Sequence, residues 1–115
     1  MNTLIIIPTY NELENLPRLL PEVLSKEEGI HILIVDDNSP DGTAAFVEDQ
    51  MKNNNRIHLL KRPSKQGLGT AYIAGFKFAL KNGYDFVFEM DADFSHDPKE
   101  IPRFLDEIKN SDVVL

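Results

Sequence analysis

The chain has 115 residues, 42% of them hydrophobic, and a formal net charge of −7 at pH 7, which suits one domain with a real core and argues against a general nucleic-acid binder. It has no cysteine, which excludes a disulfide framework and a thiolate zinc site and fits a reducing cytosol. No apolar run is long enough to span a membrane, and no charged-then-apolar leader precedes Leu4, so neither a membrane span nor a signal peptide is expected.

Residues 4–7 form a continuous apolar run rich in isoleucine. Such a run without alternation predicts a strand buried on both faces. Pro8 stops it, Thr9-Tyr10-Asn11-Glu12 makes a loop, and Asn11 with Glu14 reads as a capping box. Leu16, Leu19, Leu20, Val23 and Leu24 then recur at helical spacing. Pro17 and Pro21 place the start of this helix near Asn15 or kink it. Residues 30–35 are a second buried strand, followed by Asp36-Asp37-Asn38-Ser39-Pro40-Asp41-Gly42-Thr43. Ser39 and Pro40 read as N-cap and first helical residue. That helix runs to about Lys52 with Ala44, Val47 and Met51 inward. Residues 57–60 give a third, shorter strand.

A basic, glycine-bearing loop follows in this acidic protein, from Lys61 and Arg62 through Lys65 to Gly67 and Gly69. Leu68, Ala71, Tyr72, Gly75, Phe76, Ala79 and Leu80 predict the apolar face of the next helix. Gly75 on that face implies close packing on a sheet, and Lys81-Asn82-Gly83 ends the helix. Residues 86–90 are a fourth strand. It runs directly into Asp91-Ala92-Asp93-Phe94-Ser95-His96-Asp97. Asp97 to Glu100 reads as a capping box, and Ile101, Phe104, Leu105 and Ile108 line the last helix. Residues 112–115 begin a fifth strand. Strand and helix alternate with no repeat or linker, so a mostly parallel sheet with helices on both faces is expected.

Three aspartates within seven residues at a strand end are costly unless something positive sits there. Asp91, Asp93 and Ser95 fit the opening of an EF-hand loop. The glycine and glutamate such a loop needs are replaced here by His96 and Pro102, so that reading fails. An Asp-x-Asp pair at the carboxyl edge of a parallel sheet lies where ligands bind, and its hard oxygens suit a divalent cation. Taken alone, the same pair also reads as turn residues, with Asp97 as a cap. On one rim with it fall Tyr10 and Glu12, then Asp36, Asp37 and Asp41, with Lys61, Arg62 and Lys65 nearby. Asp36 and Asp41 also read as helix-start residues that favour the dipole. A metal beside a basic loop suits a diphosphate, Tyr10 can stack on a base, and Asp37 can bond a base or ribose edge. Together these groups make a nucleotide. His31 and His58 sit inside strands and read as structural. No Ser/His/Asp or Cys/His arrangement is present. A phospho-acceptor receiver domain is the competing small α/β reading, but its acidic pair follows the first strand rather than the second.

Pro8-Thr9-Tyr10-Asn11-Glu12, the Asp36 to Thr43 stretch, Gly67-Leu68-Gly69-Thr70-Ala71-Tyr72 and Met90-Asp91-Ala92-Asp93-Phe94-Ser95-His96 together resemble the inverting GT-A glycosyltransferases. Within them they are most similar to the dolichol-phosphate (polyprenol-phosphate) mannose synthases. The resemblance covers the whole chain. The first motif is shared by many related transferases, and the last two in this order are much more specific. It implies a Rossmann-like GT-A nucleotide-sugar transferase fold. Residues 1–115 would be a single domain, the donor-binding part of a glycosyltransferase catalytic domain, ending in the fifth strand.

The implied function is transfer of mannose from GDP-mannose to a polyprenyl or dolichyl phosphate with inversion. The implied donor site has Pro8, Tyr10 and Glu12 at the nucleoside with Val35 and Asp37. Asp91 and Asp93 bring Mg2+ or Mn2+ to the diphosphate, with Ala92 and Ser95 beside them. Some relatives carry a metal-binding glutamine where Ser95 stands, and serine is the weaker ligand. Charge alone adds Lys65 near the phosphates. The metal neutralises charge on the GDP leaving group. The attacking lipid phosphate is already ionised, so the lack of an evident base is no objection. Family members continue well past this point with acceptor-site segments, so the chain is expected to bind nucleotide and metal more readily than it turns over. A cytoplasmic location at a membrane face, peripheral membrane association and no nucleic-acid partner are expected. The alternatives are a related transferase using UDP-glucose or another nucleotide sugar, and a non-catalytic nucleotide-binding module.

Overall fold

The computed structural model describes residues 2–64, 66–93 and 97–109. The chain alternates strand and helix: β1 (Thr3–Thr9), α1 (Leu16–Leu24), β2 (Ile30–Asp36), α2 (Thr43–Met51), β3 (Ile57–Lys61), α3 (Leu68–Lys81), β4 (Phe86–Glu89), a 3-10 turn at Pro98–Glu100 and α4 (Ile101–Lys109). The expected fifth strand lies outside the described residues, as do Lys65, Ser95, His96 and the side chains of Phe104 and Ile108.

The four strands pair in parallel in the order β3-β2-β1-β4. Successive residues of a strand face opposite sides, and the apolar runs supply both sides. Ile5, Ile7, Ile32 and Ile34 pack against Leu16, Leu19, Leu20 and Val23 of α1, with Val47 of α2 and Ile101 and Leu105 of α4. Leu4, Ile6, Leu33 and Val35 pack on the other side against Ala71 and Ala79 of α3. This is the parallel sheet with helices on both faces that the alternation predicts. A receiver-type sheet would set β3 beside β1. Here β1 lies between β2 and β4, which rules that fold out.

Helix boundaries depart from expectation where side chains are drawn elsewhere. The Asn11–Glu14 capping box does not form. Asn11 takes a left-handed conformation (φ 57°), and α1 starts after Asn15, which holds Glu12 through a 2.9 Å side-chain bond. Pro17 thereby falls in the first turn, where its missing N–H costs nothing. Nor do Ser39 and Pro40 open α2, which begins at Thr43 after Gly42, held at φ 89°. Met51, expected inward, is exposed. Leu68, Phe76 and Leu80 of α3 are also exposed, and the helix meets the sheet through the small residues Ala71, Gly75 and Ala79. Asp97 caps the 3-10 turn by accepting from the Lys99 amide at 2.9 Å. Glu100 pairs with Arg103.

Candidate donor site at the switch point of the sheet

From β1 the chain moves outward through β2 and β3, then returns to the other side of β1 as β4. The carboxyl ends of β1 and β4 therefore flank the topological switch point, where open α/β sheets bind ligands. The two ladders of β1 stop at different heights. With β2 it pairs as far as Thr9 opposite Asp36, but with β4 only to Ile6 opposite Glu89. One further bond runs from the Met90 amide to the Ile6 carbonyl, 3.0 Å. Beyond it the strands part, and Pro8 has no N–H to continue a ladder.

The parting opens a cleft of about 380 Å³. Pro8, Thr9, Tyr10 and Glu12 line it from the β1 side, Leu68 from the first turn of α3, and Asp91, Ala92 and Asp93 from the end of β4. Of the residues expected at the site, these bring together Pro8, Tyr10, Glu12, Asp91, Ala92 and Asp93. Tyr10 is 40% exposed. Asp91 is half-buried and Asp93 exposed. The Tyr72 hydroxyl of α3 donates to Asp91 Oδ1 at 3.4 Å. Burial first, then the Asp91 and Glu89 carboxylates, push the Tyr72 hydroxyl up to about 12, so it stays a proton donor throughout the physiological range.

Val35 and Asp37 are not among the cleft-lining residues. Val35 is fully buried against α3. Asp37 is clamped by Arg62 through Nε–Oδ1 (2.5 Å) and Nη2–Oδ2 (2.8 Å), and its Oδ2 also accepts from the Gln66 amide at 3.2 Å. Arg62 further donates to Thr70 Oγ1 and to the Gly67 carbonyl. It ties the glycine loop and the start of α3 to Asp37 at the end of β2. Lys61 pairs with Glu48 at 3.0 Å on the surface. Asp36 is 1% exposed, and among the described residues its carboxylate accepts from the hydroxyls of Thr9 and Ser39 and from the Ser39 amide. Sequence reasoning missed Thr9 and Leu68 as lining residues. Leu68 was read as core-facing, yet it opens α3 directly after the turn at Gly67, and a first-turn side chain can project toward the sheet edge.

Two carboxylates on one wall suit a hard cation. Among the described residues no group of three or more His, Cys, Asp or Glu could hold an ion unaided. That donor set fits Mg2+ or Mn2+ bound through one or two carboxylates plus substrate phosphates, rather than a closed protein cage.

The family profile described as Glycosyl transferase family 2 matches residues 4–115. An undecaprenyl-phosphate mannosyltransferase of Micrococcus luteus is 45% identical over 115 residues, all of this chain and 47% of its own length. A polyprenol monophosphomannose synthase of Mycolicibacterium smegmatis is 50% identical over 107 residues, 92% of this chain and 40% of its own. The chain thus spans about half the length of these curated relatives. Among solved structures, the mannosyltransferase PcManGT of Pyrobaculum calidifontis, in complex with GDP-Man and Mn2+, superposes with a TM-score of 0.69. It does so at 22% identity, over 80% of this chain and 27% of that one, and so shares the fold.

Proposed function

The chain belongs to glycosyl transferase family 2, and on that premise we propose that residues 1–115 are the donor-binding part of an inverting mannosyltransferase that moves mannose from GDP-mannose to a polyprenyl or dolichyl phosphate. One observation carries the reading: a single cleft at the switch point joins Tyr10 and Glu12 to Asp91 and Asp93. The names of relatives at 45–50% identity support the choice of mannose and of a polyprenyl acceptor.

In this reading Pro8, Tyr10 and Glu12 receive the nucleoside, with Tyr10 stacking on the base. Val35 and the Asp37–Arg62 pair back that surface from β2. Asp91 and Asp93 would hold Mg2+ or Mn2+, which when bound neutralises charge on the departing diphosphate. Tyr72 orients Asp91 through its hydroxyl, and Ala92 leaves room beside the two carboxylates. Ser95 and Lys65 belong to the proposed site by sequence. The acceptor phosphate oxygen attacks the anomeric carbon from the face opposite the diphosphate. The new C–O bond forms as the bond to GDP breaks, and the sugar inverts. The attacking oxygen is already anionic, so the chain need not supply a base.

Among the described residues no helix is long and apolar enough to cross a membrane. We place the protein peripherally at the cytoplasmic face, where a lipid phosphate is accessible. Calorimetric titration with GDP and with UDP, each with and without Mn2+, tests the reading. Metal-dependent GDP binding that disappears in Asp91→Ala/Asp93→Ala is expected. A preference for UDP would keep the site and change the donor, and no binding of either would sink the donor-site reading.

A further inference from the structure

Three consecutive backbone amides after β1 donate to side-chain oxygens. The Asn11 amide donates to Ser39 Oγ at 2.9 Å, the Glu12 amide to Thr43 Oγ1 at 3.3 Å and the Leu13 amide to Asp41 Oδ2 at 3.1 Å. All three acceptors come from the segment between β2 and the first residue of α2. They are themselves held. Asp41 Oδ1 takes both the Thr43 amide, at 3.0 Å, and the Thr43 hydroxyl. The Ser39 hydroxyl and amide both donate to the buried Asp36 carboxylate, at 2.6 and 3.0 Å. Asp36 closes the circuit by accepting from Thr9 Oγ1 at 2.7 Å. The segment from Thr9 to Leu13 is therefore fastened at both ends and in the middle, and Tyr10 and Glu12 project from it into the cleft. At its centre Asn11 is left-handed, a conformation that asparagine tolerates better than other non-glycine residues.

None of Ser39, Asp41 and Thr43 lines the cleft. Their oxygens are turned to the neighbouring loop. We propose that these three are positioning residues that hold segment 9–13 in the one shape that presents Tyr10 and Glu12 to a nucleoside, and that they touch neither donor nor metal. The inference rests on the donor-site reading above. Its physical content is preorganisation: a loop fixed before the ligand arrives loses less freedom on binding.

The test compares wild type, Asp41→Ala and Asp41→Asn. Two quantities are read: amide exchange at residues 11–13 without ligand, and GDP affinity with Mn2+. In wild type the three amides exchange slowly. In Asp41→Ala they exchange faster, and GDP affinity falls about tenfold, as when the competent loop population drops to a tenth. Asp41→Asn keeps a carbonyl acceptor and recovers most of the affinity, which a general loss of stability would not do. Wild-type GDP affinity in Asp41→Ala, or fast exchange at all three amides in wild type, overturns the proposal. If Asp41→Ala does not fold, Ser39→Ala removes the Asn11 bond together with the hydroxyl's own bond to Asp36, and unchanged affinity there overturns it equally. A wild-type chain that binds neither GDP nor UDP fails the donor-site reading first and this proposal with it. A wild type that binds beside an unaffected variant fails the proposal alone.

Discussion

Asp36 and Asp37 are adjacent, both buried, and satisfied in different ways. Among the described residues the Asp36 carboxylate accepts from two hydroxyls and an amide and meets no cation, which is tolerable because each oxygen has a donor. Asp37 is instead paired with Arg62, and the two side chains are 10% and 9% exposed. A buried pair adds little over an apolar pair, but losing one partner strands the other charge. Arg62→Ala is expected to cost about 3–5 kcal/mol in urea unfolding. The Asp37→Ala/Arg62→Ala double variant should cost less than Arg62→Ala alone. A double variant as unstable as the sum of both singles would mean that the two residues act independently. The Asp-Asp dipeptide was legible as a rim motif, but its division of labour was not. Nothing in the local sequence tells that Arg62 turns back to β2 rather than outward, because that choice belongs to the β2–β3 register, which sets Lys61 opposite Asp36.

At the scale of elements, β1 and β2 lie where an isoleucine-rich run foretold them, since burial on both faces leaves a continuous apolar signature; β3 and β4 also lie where expected but are mostly half-buried. Helix starts and helix faces were less legible. Ser39 has the composition of an N-cap, yet its hydroxyl is engaged by Asp36 and by the neighbouring loop, so α2 opens four residues later. The apolar stripe of α3 is wider than the face it buries. What decides its seating is Gly75, where an added Cβ would lie 2.5 Å from Ile6 Cδ1 and 2.8 Å from both Cγ1 and Cγ2. Ile6 is fully buried in the central strand and cannot move aside. Gly75→Ala is therefore expected to destabilise by about 1–3 kcal/mol through overpacking, despite alanine's better helix propensity. Chemical denaturation measures this, and a stabilised variant would show that α3 can shift away from β1.

Across the whole molecule the two edges of the sheet carry different chemistry. The carboxyl edge holds the cleft. Nearer the amino edge, His31 Nδ1 and His58 Nε2 lie 3.1 Å apart, with the Tyr84 hydroxyl 2.9 Å from the first and 3.2 Å from the second. The ring centroids are 5.3 Å apart with planes 18° from parallel, so the nitrogens meet edge to edge in a hydrogen bond. Burial and the nearby Arg56 guanidinium hold His31 below its ordinary value, and burial and His31 do the same for His58. The unfolded chain therefore binds more protons than the folded one just below pH 6.5, the ordinary histidine value. Stability from this cluster is intact above that pH and is lost as pH falls through it. Melting midpoints of wild type should drop between about pH 7 and 5.5, and those of His58→Phe should drop less over the same window. Equal slopes would remove the histidines from the account. Central β1 is made before the other described strands, but its partner on one side is β4, so Thr3 waits for Phe86. Until then an isoleucine-rich strand shows an open edge to every other nascent chain. Crowded expression or slow translation should therefore favour inclusion bodies over misplaced pairing within the chain.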